Sequence, residues 1–248
     1  SLISIGQGLE QSIQSEFERL GGDKITISEA GGITSRFSGT TVILNEDDLQ
    51  AVSNSRGVDL VAGQISGSIQ ANYGGEAAFT SLQGIPMTEA GNIIKEQNGI
   101  EMIEGRYIRS TDTSNVIISS SFAENRFEEE IGLRNRISFG NRTFSVVGIY
   151  DYPGQGMGLV LPMEVAREIL DKEEDVYDSL AASVQDGFTT SEVEENIGDS
   201  LRQERNMDEG EEDFETQTSE DIIRSFQNQL SIVRAVLLGI GSISLLVG

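Results

Sequence analysis

The segment 180–216, LAASVQDGFTTSEVEENIGDSLRQERNMDEGEEDFET, contains a strand, a helix and a second strand in that order. Leu180, Ala182 and Val184 alternate along the chain, which predicts the first strand. The run TTSE at 189–192 is a capping box that begins a helix. The apolar face of that helix is marked by residues four apart: Val193, Ile197 and Leu201. Phe214 and Thr216 then predict the second strand.

The other flank of the chain contains the same kinds of element. Ile25 and Ile27 alternate within the strand predicted at 24–28, and a second strand is predicted at 41–44. Asn45 is placed to cap a short acidic helix that runs through Leu49 and Val52. Because both flanks carry strands and a helix, we expect an α+β fold in which one layer is assembled from the two ends of the chain.

The first flank continues with further strands, and the segment that follows it is β-rich in its own right. The segments 58–73 and 77–82 alternate and carry turn glycines, which predicts strands. Gly140 and Asn141 separate two alternating runs and predict a hairpin with a two-residue turn over 137–149. We therefore expect a compact β-rich insert with borders near Gly99 and Asp175.

Four further elements are predicted inside the insert. A strand is expected at 116–118 and a strand at 159–161, with a helix that begins at Pro162. A longer helix is expected at 119–131, because apolar residues recur there every fourth position: Ala123, Phe127 and Ile131.

The two ends of the chain are apolar. Residues 232–248, IVRAVLLGIGSISLLVG, are expected to be a truncated transmembrane helix, with a buried helix of a soluble core as the alternative. Residues 1–22 and 219–231 are amphipathic, and Ser219 is the expected N-cap of the second helix. We expect these two helices to form an antiparallel stalk at the membrane surface, with packing on the domain core as the alternative. The candidate stalk residues form one apolar stripe on each helix: Leu9, Ile13, Phe17, Leu20, Ile222, Phe226, Leu230, Val233 and Leu237.

The charge of the chain restricts its partners. The chain has 41 acidic and 17 basic residues, which gives a formal net charge of −24. Nucleic acid is not expected as a partner, because binding it requires a basic face. A surface adapted to very salty surroundings, as in a halophilic archaeon, is expected, since the screening length at molar salt is about 3 Å. A cation-binding or partner-binding acidic face is the alternative.

The composition also restricts the chemistry. The chain has no histidine and no cysteine, so the commonest general base, zinc ligation and thiol chemistry are all missing. No pocket-forming motif singles out a pair among the many carboxylates, so no catalytic residue, metal site or cofactor is predicted.

Three short motifs invite a ligand or a modification. The glycine run at 154–158 precedes a strand, so it does not fit a phosphate loop, which joins a strand to a helix. The acidic run at 208–213 does not have the spacing of an EF-hand and is expected to be a solvated loop, with a calcium site as the alternative. Asn141-Arg-Thr143 is an N-glycosylation sequon on the predicted hairpin turn.

Several of these segments, in this order, resemble the permeases of MacB-type ABC transporters, a group that includes lipoprotein-releasing transporters and FtsX-like proteins. The similar segments are SIGQGL at 4–9, LGGDKI at 20–25, IEGRY at 103–107, VIIS at 116–119, IGL at 131–133, FSVVGI at 144–149 and LPM at 161–163.

The resemblance implies a membrane permease with four transmembrane helices, in which this extracytoplasmic domain lies between the first and the second. It implies a homodimer that works with a cytoplasmic ABC ATPase and relays nucleotide-driven motion across the membrane, for an unknown substrate or extracellular partner. No G-x-x-x-x-G-K-[ST] loop occurs in the chain itself.

The organisation that the resemblance implies has five segments. They are a stalk helix at 1–22, a porter-like subdomain in two halves at 23–98 and 176–218, an inserted Sabre-like subdomain at 99–175, and a stalk helix running into a transmembrane helix at 219–248. A sensory or ligand-binding domain of a membrane receptor is the alternative from another class, and an extracellular hydrolase is a third candidate.

Overall fold

The computed structural model describes residues 22–30, 44–151, 157–221 and 224. Within these ranges the strands are β1 (Lys24–Glu29), β2 (Leu44–Asn45), β3 (Val58–Tyr73), β4 (Glu76–Ile85), β5 (Glu101–Gly105), β6 (Asn115–Ser119), β7 (Arg136–Phe139), β8 (Arg142–Asp151), β9 (Met157–Pro162), β10 (Val176–Tyr177), β11 (Ser179–Val184) and β12 (Phe214–Thr218). The helices are α1 (Glu46–Ser53), α2 (Gly91–Gln97), α3 (Ser120–Asn125), α4 (Met163–Leu170) and α5 (Thr190–Arg205). The fold class is α+β, as predicted.

One large sheet organises the described residues. Nine of its ten strands follow the order β12-β1-β11-β3-β4-β9-β6-β8-β5, and β7 pairs with β3 and β8. The pairs β4–β9 and β6–β8 are parallel, while the other pairs of this sheet are antiparallel. Strands β2 and β10 form a separate two-stranded sheet.

Strand β3 belongs to both halves of the large sheet. Its first residues, from Val58 to Gln64, pair with β11, and its later residues, from Ile65 to Tyr73, pair with β4. At about 3.3 Å per residue, its 16 residues extend over about 50 Å. A single strand therefore connects the layer built from the chain flanks to the strands of the insert.

The layer built from both flanks has its own core. Buried side chains from the beginning of the chain pack against side chains from its end: Ile25, Ile27, Leu44, Val52, Leu180, Ala182, Val193, Ile197, Leu201 and Phe214. This arrangement confirms the predicted layer assembled from the two ends of the chain.

The insert packs in a second cluster with the far part of the β3–β4 hairpin. Ile65, Ala71 and Leu82 of the hairpin join Phe122, Phe144, Leu159 and other buried residues of the insert. A third cluster, around Ile94, Ile117, Tyr150 and Val160, covers the opposite face of the sheet. The division into five segments remains a prediction.

The local start signals are confirmed by hydrogen bonds. Asn45 caps α1 through a reciprocal capping box with Asp48, and Thr189 caps α5 in the same way with Glu192. The hairpin turn at Gly140 and Asn141 has backbone φ angles of +53° and +59°, which a type I′ turn requires. Helix α4 begins directly after Pro162.

The helix predicted at 119–131 is wrong beyond Asn125. Helix α3 spans six residues, and the backbone N–H of Ile131 then returns to donate to the Ala123 carbonyl at 3.0 Å. Ala123, Phe127 and Ile131 are all buried in one cluster, so their spacing reflects a shared core rather than a continuous helix. The run Glu128–Glu130 lies exposed in the reversal between them.

The N-cap of the last helix is Thr218 rather than Ser219. The Thr218 hydroxyl accepts the N–H of Asp221 at 3.1 Å, and helical residues begin at Ser219. Ser219 is buried and lies inside the first turn. Two neighbouring hydroxyl residues gave the same sequence signal, and only the chain direction at the end of β12 distinguishes them.

Candidate coupling site at the sheet edge

The strand pair β1–β12 forms one edge of the large sheet and brings the two chain ends together. The strands are antiparallel, and Ile25 at the start of β1 lies opposite Thr218 at the end of β12. The chain therefore enters β1 and leaves β12 at the same end of the sheet. Both predicted stalk segments connect to this end, which we call the coupling edge, defined by β1 and β12.

A reciprocal cap fixes the exit from β12. Thr218 donates its N–H to Asp221 Oδ2 at 3.1 Å and its hydroxyl to the same oxygen at 2.6 Å, while Asp221 donates its N–H to the Thr218 hydroxyl. The hydrogen bonds from Thr218 lower the pKa of the Asp221 carboxyl. The strand thus passes into the following helix without an unsatisfied turn between them.

The entrance to β1 is held from two sides. Thr190, at the start of α5, donates its hydroxyl to the Gly22 carbonyl at 3.1 Å. The Lys24 side chain is 9% exposed, with its Nζ at 2.9 Å from Asp23 and 3.5 Å from Glu96 of α2. The ammonium group therefore ties the first residue of β1 to a helix on the other face of the sheet.

The opposite end of β12 is anchored by arginine. Arg205, at the end of α5, makes a two-point contact with Asp48, with Nε–Oδ1 at 2.8 Å and Nη2–Oδ2 at 2.6 Å. Its Nη1 lies 2.7 Å from Asp213, the residue before β12. Asp48 is only 1% exposed and also closes the cap of α1. One buried ionic cluster therefore joins α1, α5 and β12.

Helix α5 covers one face of the coupling edge. Val193, Ile197 and Leu201 are fully buried against the strands of the flank layer. Glu194 accepts the Thr216 hydroxyl at 3.0 Å, and burial raises the pKa of the Glu194 carboxyl. The edge is thus held by contacts at both ends and along its length.

The predicted stalk residues lie outside the described residues: Leu9, Ile13, Phe17, Leu20, Ile222, Phe226, Leu230, Val233 and Leu237. Most of the glycine run at 154–158 also lies outside them. Among the described residues, no helix is long and apolar enough to cross a membrane. Asn141 is described and lies exposed on its turn, away from the coupling edge.

The last two carboxylates of the acidic run at 208–213 form ion pairs with arginines. Glu212 binds Arg202 at 2.9 Å and Asp213 binds Arg205 at 2.7 Å. Across the described ranges, no group of three or more His, Cys, Asp or Glu side chains is arranged to hold a metal ion. These contacts favour the structural interpretation of this run over the calcium site.

Sequence reasoning missed the ionic cluster of Asp48, Arg205 and Asp213. The one signal was a pair of arginines, Arg202 and Arg205, in the last turn of a capped helix, directly before an acidic run. In a chain with 41 acidic residues this signal did not stand out.

Most of the chain matches a known protein family. Residues 1–200 match the family described as MacB-like periplasmic core domain. The chain belongs to this family. The resemblance to MacB-type permeases is thereby confirmed, and the match favours the permease over the receptor domain.

Two relatives extend beyond this MacB-like domain. An uncharacterized ABC transporter permease of Methanocaldococcus jannaschii is 27% identical over 253 residues, which cover 100% of this chain and 61% of that protein. The macrolide export ATP-binding/permease protein MacB of Campylobacter fetus is 24% identical over 249 residues, which cover 98% of this chain and 38% of that protein. The chain thus spans less than two thirds of either relative.

Two solved structures share the fold. The periplasmic region of MacB from Actinobacillus actinomycetemcomitans has a TM-score of 0.67 at 19% identity and covers 88% of this chain and 98% of its own. The extracellular domain of the noncanonic ABC-type transporter YknZ from Gram-positive bacteria has a TM-score of 0.57 at 16% identity, covering 79% of this chain and 100% of its own. Both support the porter-like α+β fold.

Proposed function

We propose that this MacB-like domain relays motion from the membrane to the outside of the cell, as the extracytoplasmic part of an ABC transporter permease. ATP-driven closure of a cytoplasmic ATPase would move the stalk helices, and the coupling edge would carry that movement into the domain. The proposed assembly is a homodimer in the cell membrane, with the ATPase present as a domain or a subunit.

The pairing of β1 with β12 is the observation that supports this proposal most strongly. Ile25 lies opposite Thr218, so two stalk helices would meet the domain side by side at one end of one strand pair. A force on either helix then acts along hydrogen-bonded strands rather than on a loop. The capping box at Thr218 and the contacts at Lys24 keep both junctions short.

The path from the coupling edge into the insert is also continuous. Strand β1 pairs with β11, β11 pairs with β3, and β3 continues into the cluster of the insert. Displacement of the edge would therefore reach the far hairpin through backbone hydrogen bonds. The relatives named for macrolide export suggest an exporter, and the substrate of this chain stays open.

The test is a flexible linker between the domain and the second transmembrane helix. A glycine-serine insertion near Gln227 in the full permease should leave ATP hydrolysis intact and abolish rescue of a strain that lacks the permease. The matched control is the same insertion between Gly74 and Gly75, an exposed turn with no atoms near either glycine. Full rescue by the Gln227 insertion would refute rigid coupling.

A further inference from the structure

We propose that Asn141 carries an N-linked glycan. Asn141-Arg142-Thr143 is the only N-x-[ST] sequence in the chain, so it is the one acceptor that this domain offers to an oligosaccharyl transferase. The proposal goes beyond the relay of motion. It rests on the extracytoplasmic location in the proposed function, because glycan transfer takes place on that side of the membrane.

The acceptor lies on a tight turn at the surface. Asn141 is the second residue of the two-residue turn between β7 and β8, with φ at +59°, and its side chain is exposed. The structure gives the Asn141 amide no hydrogen-bond partner among the described residues. Its Nδ2 is therefore available for a covalent bond without loss of a structural contact.

The remaining residues of the sequon leave the acceptor accessible. Arg142 is held to the side by Glu168 at 2.6 Å and by the Thr113 carbonyl at 2.6 Å, and its guanidinium lies 5.2 Å from the centre of the Phe144 ring. Thr143, which the transferase must recognise, is exposed on the other face of β8. The bulky middle residue of the sequon thus does not cover the amide.

Open space lies next to the turn. A groove of about 450 Å³ runs between the turn and the β3–β4 hairpin. Its lining combines the half-buried side chains of Ile69, Ser138 and Ile169 with the exposed amides of Gln70, Asn72 and Asn141. Sugar rings have apolar faces and hydroxyl edges, which are complementary to the apolar and polar side chains of this lining.

The chemistry needs only a lipid-linked oligosaccharide as co-reactant. The Asn141 Nδ2 forms a bond to the anomeric carbon of the first sugar, and the bond between that carbon and the lipid phosphate oxygen breaks. The lipid phosphate leaves with the electron pair, and one amide proton passes to a base of the transferase. No oxidant or metal from this chain takes part.

The experiment uses the full-length permease purified from the membranes of its own host. Mass spectrometry of the peptide that contains Asn141 should show a glycan mass on the wild type. Thr143→Ala should remove it without altering the turn, and Thr143→Ser, which keeps the sequon, should retain it. Asn141→Gly, which suits a positive φ, should also remove it.

A separate measurement keeps location distinct from modification. The domain has no cysteine, so Glu76→Cys, in a permease from which any cysteine outside the domain has been removed, places one thiol on the exposed hairpin for a maleimide that cannot cross the membrane. Labelling from outside together with an unmodified Asn141 peptide overturns the glycan and leaves the proposed function standing. No labelling from outside and no glycan overturns both. A glycan that persists in Thr143→Ala also overturns the proposal.

Discussion

At the scale of single residues, we predict the largest loss of stability for a substitution in the ionic cluster of Asp48, Arg205 and Asp213. Arg205→Leu leaves the buried Asp48 carboxylate without its cation, which costs about 3 to 5 kcal/mol of unfolding free energy. The matched control is Arg202→Leu on the same helix, whose partners Asp199 and Glu212 are 68% and 22% exposed, so neither carboxylate is left fully buried and the loss should be much smaller. Urea unfolding at constant salt measures both, and equal losses would contradict the role of the cluster.

A second residue-scale prediction concerns pH and Asp112. This buried carboxylate accepts from both nitrogens of the Arg106 fork, at 2.6 and 2.9 Å, and from Asn115. The Arg106 contact lowers the pKa of Asp112 to about 2. Because the folded pKa lies below the unfolded one, the stabilisation is complete above the unfolded pKa and is lost as pH falls towards 2.

Comparing the wild type with Asp112→Asn tests the direction of this pH dependence. The variant should lose about 2 to 3 kcal/mol at neutral pH, and the difference should shrink between about pH 5 and pH 2. Asp186→Asn at an exposed turn is the control and should change little at any pH. A difference that grows on acidification would show that Asp112 does not stabilise the fold as an anion.

At the scale of elements, the cap of the last helix is the joint on which coupling depends. Thr218→Val keeps the buried shape and removes the hydroxyl that Asp221 uses, so it should cost about 1 kcal/mol, whereas Thr218→Ser should cost less. Urea unfolding measures the two variants. If serine were as destabilising as valine, packing rather than the cap would hold this joint.

The elements also show what the sequence can predict. Caps at Asn45 and Thr189 and the turn at Gly140 were predictable, because each depends on contacts within four residues. The helix at 119–131 was wrong because a four-residue spacing of apolar residues also arises when a chain reverses over a core. The cap at Thr218 was misplaced by one residue for a similar local ambiguity.

The order of the strands in the sheet could not be predicted from local sequence patterns. The sequence indicated that both flanks form one layer, but not that β1 lies between β12 and β11, nor that β3 serves both halves of the sheet. The coupling edge is a product of such pairings between residues nearly 200 positions apart. The candidate stalk residues stay a prediction from periodicity, while the contacts that hold their junctions could not be predicted from the sequence.

At the scale of the whole molecule, charge should make stability depend on salt. With a net charge of −24, the folded domain repels itself at low ionic strength, and screening at molar salt removes that repulsion. The urea midpoint should therefore rise between 0.1 and 2 M KCl. A variant with Glu128, Glu129 and Glu130 changed to Gln, which lowers the charge to −21, should need less salt. A midpoint independent of salt in both proteins would contradict adaptation to salt.

The relay of motion is the central claim for the whole molecule, and a distance between two copies tests it most directly. Spin labels on Glu76→Cys, in a full permease from which any cysteine outside this domain has been removed, report the separation of the far hairpins in a dimer, since the domain itself has no cysteine. We predict that trapping the ATP-bound state shifts this distance in the wild type and not in the variant with the flexible linker near Gln227. An equal shift in the linker variant would contradict relay through the coupling edge.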